Sequence, residues 1–197
     1  MKKNFILASR SPRRKDLLEA IGLKFTVDEP LDYEEIHPKN RSAHEIVLIN
    51  AMGKAESVAN NHKDAIILGV DTVGAFKDHI LEKPKDEDDA LRMLKMLQGT
   101  THEVLTGLCL IDSKTGKKIT AVESTTIEFV PMSDRDIKKY IKAGESMDKA
   151  AAYAAQGIGS IFVKSMDGDY FNVVGLPMYR LNLMLKEFDI DLIDTVN

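Results

Sequence analysis

The sequence predicts an α/β fold on three observations. Short apolar runs that read as buried strands alternate with segments whose apolar residues recur at helical spacing. Ser, Asp and Pro open the helical segments and Gly closes most of them. No repeat, low-complexity stretch or Gly/Ser linker divides the 197 residues, so the chain reads as one domain over 1–197, and its 44% apolar residues suffice for a sizeable core.

Residues 5–8 read as a first buried strand, followed by a helix over about 11–21. Ser11 is its N-cap, Pro12 takes the first helical position, Leu17, Leu18 and Ile21 face inward, and Gly22 ends it. Ser42 with Glu45 forms a capping box for a second helix through Ala59, with Ile46, Ile49, Gly53 and Val58 near one face. Residues 65–70 form a buried strand that runs straight into Asp71 and Thr72, and Lys77-Asp78 suits a hairpin turn. Asp86 caps a third helix carrying Ala90, Met93, Leu94 and Leu97, which Gly99 closes. Residues 102–111 and 118–130 flank the turn 112–116 and read as a long hairpin, its second strand half exposed. Ser133 caps a fourth helix with Ile137, Tyr140 and Ile141 inward and Gly144 as its stop. Two further strands are predicted at 160–164 and 170–174 around the turn 167–169, and a last helix follows Pro177. The sheet is therefore mixed.

A net charge of −4 argues against a general nucleic-acid coat and against membrane-surface binding, both of which need a broad positive face. Any anion site must be local. The single cysteine, Cys109, rules out an intrachain disulfide framework, lies in an apolar alternation that reads as core, and suits a reducing, cytoplasmic setting. Residues 1–8 faintly imitate a signal peptide, but the apolar run is too short and Ser9-Arg10 cuts it; no stretch is long enough to span a bilayer. The five histidines show no metal-ligand spacing.

The stretch LASRSPRRKD, residues 7–16, crowds Arg10, Arg13, Arg14 and Lys15 beside Ser9 and Ser11 at a helix start. Cations there oppose the helix dipole, and a bound phosphate chain reverses that sign; the alternative is a solvated basic turn. Asp71, a carboxylate at the end of an apolar strand, suits a metal ligand or general base, with a turn-capping role as the plainer alternative. Lys83 precedes Pro84, which fixes an extended backbone, and Lys54 sits among Ala51, Gly53 and Ala55. Glu34-Glu35 offers hard oxygen ligands of the kind Mg²⁺ takes. In MDKAAAYAAQGIG, small residues let backbone approach a ligand and Gln156 suits a base edge; an Ala-rich helix end is the plainer reading.

Taken in order, these segments and the closing DGDYFNVVGLP resemble the Maf family of nucleoside triphosphate pyrophosphatases over nearly the whole chain. The resemblance implies the fold of the inosine triphosphate pyrophosphatases, an elongated mixed sheet flanked by helices in two lobes with a central cleft. It implies hydrolysis of a nucleoside triphosphate to the monophosphate and pyrophosphate with Mg²⁺, or alternatively Mn²⁺, and a homodimer. Asp71 matches the family's proton acceptor. Arg13, Thr72 and Gln156 match positions that mark members acting on dTTP and UTP, while Ser9, Glu35, Lys54 and Lys83 match other polar residues of the cleft, with Glu35 and Asp71 as metal ligands. The rival implications are action on modified purine nucleotides, and a nucleotide-regulated partner in septum formation. The chain departs from the family where Glu82 replaces a glycine before Lys-Pro, and where Ala151 and Ala154 replace the glycines of a Gly-Ala-Tyr-Gly-Ile-Gln run. If those glycines hold positive φ, alanine there is strained by about 1 kcal/mol or more.

Overall fold

A computed structural model describes residues 3–38 and 40–195; Met1 and Lys2, which open the signal-like stretch, lie outside them. Among the described residues, seven strands form one mixed sheet: β1 (Asn4–Ala8), β2 (Thr26–Val27), β3 (Ala65–Phe76), β4 (His79–Leu81), β5 (Thr101–Asp112), β6 (Lys118–Phe129) and β7 (Val163–Asp167). Their order is β2-β1-β3-β5-β6-β7, with β4 paired to β3. β1 runs parallel to both β2 and β3, whereas β4 on β3 and β7 on β6 are antiparallel. The helices are α1 (Pro12–Ala20), α2 (Ala43–Ala59), α3 (Glu87–Leu97), α4 (Asp134–Lys142), α5 (Tyr170–Val174), α6 (Met178–Lys186) and α7 (Leu192–Thr195). No helix of the described residues is long and apolar enough to cross a membrane.

The chain divides into two compact units. The first comprises Met1–Asp71, Thr106–Glu123 and Gly175–Asn197, and the second Thr72–Leu105 and Ser124–Val174. In the first, Phe5, Leu7, Leu18, Ile66, Leu68, Leu108, Leu181 and Leu185 pack into one apolar cluster, and Ile6, Ala51, Ala55, Val58, Ile67 and Cys109 into another. Burial holds the Cys109 thiol at about 12, so it stays protonated and inert as core. In the second unit, α3 and α4 lay Met93, Leu94, Leu97, Ile137, Tyr140 and Ile141 against Phe129, Tyr153 and Phe162.

The caps behave as the sequence predicts. Ser42 and Glu45 form the full capping box of α2, Asp86 accepts from the Asp89 N–H at α3, and Ser133 accepts from the Asp136 N–H at α4. At α1, Ser11 is the N-cap, but its hydroxyl makes no capping bond. Two predicted strands are corrected. Residues 170–174 form α5, because the Asp169 carboxylate accepts from the Phe171 N–H and the Asp169 carbonyl from the Val173 N–H, which starts a helix that β-branched composition disguises. Asn172 then anchors it, donating to the Val104 carbonyl and the Thr125 hydroxyl at 2.9 Å each. The strand at 160–164 begins only at Val163; residues Ile158–Phe162 form a 3-10 turn.

His102 is buried in the second unit, its Nε2 2.9 Å from the Tyr153 hydroxyl and its ring edge-on to Phe129. Burial pushes its pKa down from 6.5 to about 4. The unfolded chain therefore binds the proton first as pH falls, so the contribution of the neutral His102 is intact above pH 6.5, erodes between 6.5 and 4, and is fully lost below 4. At about 1.4 kcal/mol per unit this amounts to roughly 3 kcal/mol. Urea unfolding of His102→Gln should show a shallower loss of stability than wild type across that window; parallel curves would contradict this assignment.

Candidate active site

The site of the first unit is built on a carboxylate in an apolar strand. Asp71 does not end β3, as the sequence suggests; the strand continues to Phe76, so Asp71 lies within it, 6% exposed, and cannot be a turn cap. Burying a charge there is costly unless it is paired. Helix α2 supplies the partners, and a glycine lets it come close enough. A Cβ on Gly69 would lie 2.2 Å from the Ala51 carbonyl oxygen and 2.8 Å from the Ala55 methyl, so only glycine in β3 and small residues in α2 permit this approach.

Across that contact, Lys54 Nζ donates to Asp71 Oδ1 at 2.7 Å and reaches the Val70 carbonyl at 3.4 Å and Glu35 Oε1 at 2.5 Å. All three ammonium protons have acceptors. One turn earlier, Asn50 Nδ2 donates to Asp71 Oδ2 at 3.2 Å. The Asn50 side chain also binds the loop before α2, accepting from the Tyr33 hydroxyl and the Ile36 N–H at 2.9 Å each and donating to the Ile36 carbonyl at 3.3 Å. The Tyr33 ring lies on α2 at Gly53, where a Cβ would be 1.9 Å from the ring. Burial, then the charges of Asp71 and Glu35, hold the Tyr33 phenol above its ordinary value, so it remains a donor.

The basic turn divides its labour. Arg14 is buried, donating from Nε to the Gly175 carbonyl at 2.8 Å and from Nη1 to the Ser9 hydroxyl and the Val70 carbonyl at 3.0 Å each. Burial lowers its pKa to about 10, and the charge of Asp71 opposes that loss. Arg14 thus ties α1 to β3 rather than serving as an exposed phosphate grip, which corrects the expectation for this residue. The Ser9 hydroxyl also accepts from the Ser11 N–H at 3.2 Å. Arg10 and Lys15 make surface pairs with Glu29 and Glu19. Arg13 is half-buried on the first turn of α1.

The remaining predicted residues belong to the second unit. Thr72 follows Asp71 in β3 and is half-buried, while Lys83 and Gln156 are exposed. The Ala151 N–H donates to the Glu82 carbonyl at 3.1 Å, which brings the Lys83 turn beside the 150–156 segment. That segment is not a helix end. Ala151 and Ala152 have φ of 60° and 62°, so the first missing family glycine does fall at a left-handed residue, whereas Ala154 holds no positive φ. Gly74 makes room for the Ala151 methyl: a Cβ there would be 2.7 Å away. The Asp148–Lys149 pair is present as an ion pair.

Glu35 and Asp71 converge on one cation, the Lys54 ammonium. Two hard carboxylates suit Mg²⁺, which is commonly held by one or two carboxylates plus substrate phosphates, and no group of three or more His, Cys, Asp or Glu among the described residues offers a closed metal cage.

The Maf-like protein family matches this chain over residues 4–188. A protein of Dictyoglomus turgidum named dTTP/UTP pyrophosphatase is 43% identical over 193 residues, 98% of this chain and 100% of its own length. One of the same name from Alkaliphilus oremlandii is 46% identical over 193 residues, covering 97% and 100%. Among solved structures, the Staphylococcus aureus Ham1 protein aligns with a TM-score of 0.46 at 14% identity, over 65% of this chain and 72% of that one.

Removing Arg14 takes the guanidinium donor from the buried Gly175 carbonyl and leaves the Val70 carbonyl with the longer Lys54 contact. Arg14→Met should lower the unfolding free energy by about 2–4 kcal/mol, while Lys15→Met, on the exposed side of the same turn, should change it by less than about 0.5 kcal/mol. Equal effects in urea titrations would contradict a structural role for Arg14.

Proposed function

This chain belongs to the Maf-like protein family, and we propose that it hydrolyses dTTP and UTP to the nucleoside monophosphate and pyrophosphate. The observation that carries this reading is the buried Asp71 carboxylate held between Lys54 Nζ and Asn50 Nδ2. The shared name of relatives more than 40% identical over almost the full chain supports the choice of nucleotides.

Each Asp71 oxygen accepts one of those bonds and keeps a lone pair, so the carboxylate is oriented yet still able to take a proton from water. The water oxygen forms a bond to the α-phosphorus as the bond from that phosphorus to the oxygen leading to the β-phosphate breaks, and the electron pair leaves with pyrophosphate. Such chemistry depends mainly on positioning and charge neutralisation. Arg13 and Lys54 supply positive charge for the triphosphate, and Ser9, fixed by Arg14, adds a hydroxyl at the helix start. A Mg²⁺ ion held by Glu35 and Asp71 would neutralise charge on the phosphate oxygens. We assign Lys83 to the phosphates, and Thr72 and Gln156 to the pyrimidine, by their match to the family's positions.

Pyrophosphate release should be measured over a panel of canonical and modified nucleoside triphosphates with Mg²⁺. The expected result is turnover of dTTP and UTP well above that of the purines, falling at least about 100-fold in Asp71→Asn. Purine preference would overturn the nucleotide assignment; near-wild-type turnover in a folded Asp71→Asn would overturn the role of Asp71. Binding without turnover across the panel would favour a nucleotide-regulated partner protein.

A further inference from the structure

We propose that Asn50 is a positioning residue that couples the loop carrying Glu35 to the Asp71 carboxylate, so that the two acids paired with Lys54 are held as one unit. This deepens the reading above and rests on it.

A primary amide has two donor hydrogens and two acceptor lone pairs, and Asn50 uses all four. Oδ1 accepts from the Tyr33 hydroxyl and the Ile36 N–H, while Nδ2 donates to the Ile36 carbonyl and to Asp71 Oδ2. This set fixes the orientation of the amide. Turned over, it would set Nδ2 against the Ile36 N–H and Oδ1 against both the Ile36 carbonyl and a carboxylate oxygen, three repulsive contacts in place of three bonds.

The pattern also shows what the residue is for. Asn50 is 1% exposed, on a helix whose neighbouring buried positions are Ile46, Val47 and Ala51. Packing alone would be served by an aliphatic side chain, which would need no partners. Three of its four bonds go to residues 33–36 and the fourth to Asp71, so it joins two segments that lie 35 positions apart between Ile36 and Asp71. Ile36 is bonded through both its N–H and its carbonyl, which clamps the backbone immediately after Glu35. The Tyr33 ring, seated on Gly53, fixes the other side of that glutamate. Lys54, one turn further along α2, then meets a Glu35 whose backbone is already placed. Without Asn50, the backbone after Glu35 would lose both side-chain anchors at Ile36, and Asp71 Oδ2 would lose its amide donor.

Two variants separate the functions of the two ends of the amide. Asn50→Ala removes all four bonds. Asn50→Asp keeps an acceptor for Tyr33 and the Ile36 N–H but replaces the donor to Asp71 with a carboxylate that repels it. Amide hydrogen exchange at Ile36 and steady-state kinetics with UTP should be measured on both. For Asn50→Ala, Ile36 should exchange at least about 10-fold faster than in wild type, and kcat should fall about 10–100-fold with KM changed less than about 3-fold, the size of effect typical of groups that orient catalytic ligands. For Asn50→Asp, Ile36 should stay protected while kcat falls at least as far.

A merely structural Asn50 would lower stability and leave the kcat of the folded enzyme untouched. Wild-type kcat in a folded Asn50→Ala, or in Asn50→Asp should Asn50→Ala fail to fold, overturns the proposal and leaves the function standing. Wild-type exchange at Ile36 in Asn50→Ala overturns it as well. A wild-type enzyme that releases no pyrophosphate overturns the function, and the proposal with it.

Discussion

The architecture of the first unit depends on one ion pair, Lys54 with Asp71, formed where a charged group enters an apolar strand. A carboxylate placed within β3 would be expensive to bury alone, and a lone ammonium on the inner face of α2 equally so; together, at 2.7 Å, each offsets part of the other's penalty. Much of the surrounding sequence follows from making that contact possible. Gly69 brings the strand against the helix, and Ala51 and Ala55 keep the helix face low enough to receive it. Glu35 and the Val70 carbonyl use the remaining protons of the ammonium, and Asn50 takes the second carboxylate oxygen. At the same point of β3, Arg14 binds the Val70 carbonyl from the side of α1, so that the cation-rich turn and the acid-bearing strand are joined through one peptide group.

The basic turn shows how a charge cluster can be resolved by geometry rather than by a ligand alone. Of its four cations, Arg14 is internal, held by three acceptors, and Arg10 and Lys15 rest on surface glutamates. The helix start therefore carries a buried Ser9 and a half-buried Arg13 on a scaffold already fixed by Arg14. In the second unit a comparable economy operates at Ala151 and Ala152, whose left-handed backbone costs each about 1 kcal/mol. Their buried methyls, the space left by Gly74, and the bond from the Ala151 N–H to the Glu82 carbonyl offset that strain.

Features written locally were legible in the sequence. The capping box at Ser42, the caps at Asp86 and Ser133, and the apolar faces of α3 and α4 all rest on residues within one or two turns of each other, and each is where the pattern placed it. The small residues around Lys54 were visible too, although only the structure shows that they serve the approach of β3. What was hidden depends on distant partners. Residues 170–174 carry strand composition but become helical through Asp169 and through Asn172, whose partners lie 47 and 68 positions away. Asp71 looked like a strand end because polarity usually marks one, and the continuing strand is stabilised by its pairing with β4. Asn50 carried a faint signal, a polar residue one turn before Lys54 on an otherwise apolar helix face, but nothing in the sequence says that its partners are Ile36, Tyr33 and Asp71.

The central claim is that water, deprotonated at Asp71, attacks the α-phosphorus. The most direct measurement is hydrolysis of UTP in ¹⁸O-labelled water with mass analysis of both products. The account predicts one labelled oxygen in the uridine monophosphate and none in the pyrophosphate. Label in the pyrophosphate, or release of orthophosphate as the first product, would contradict it.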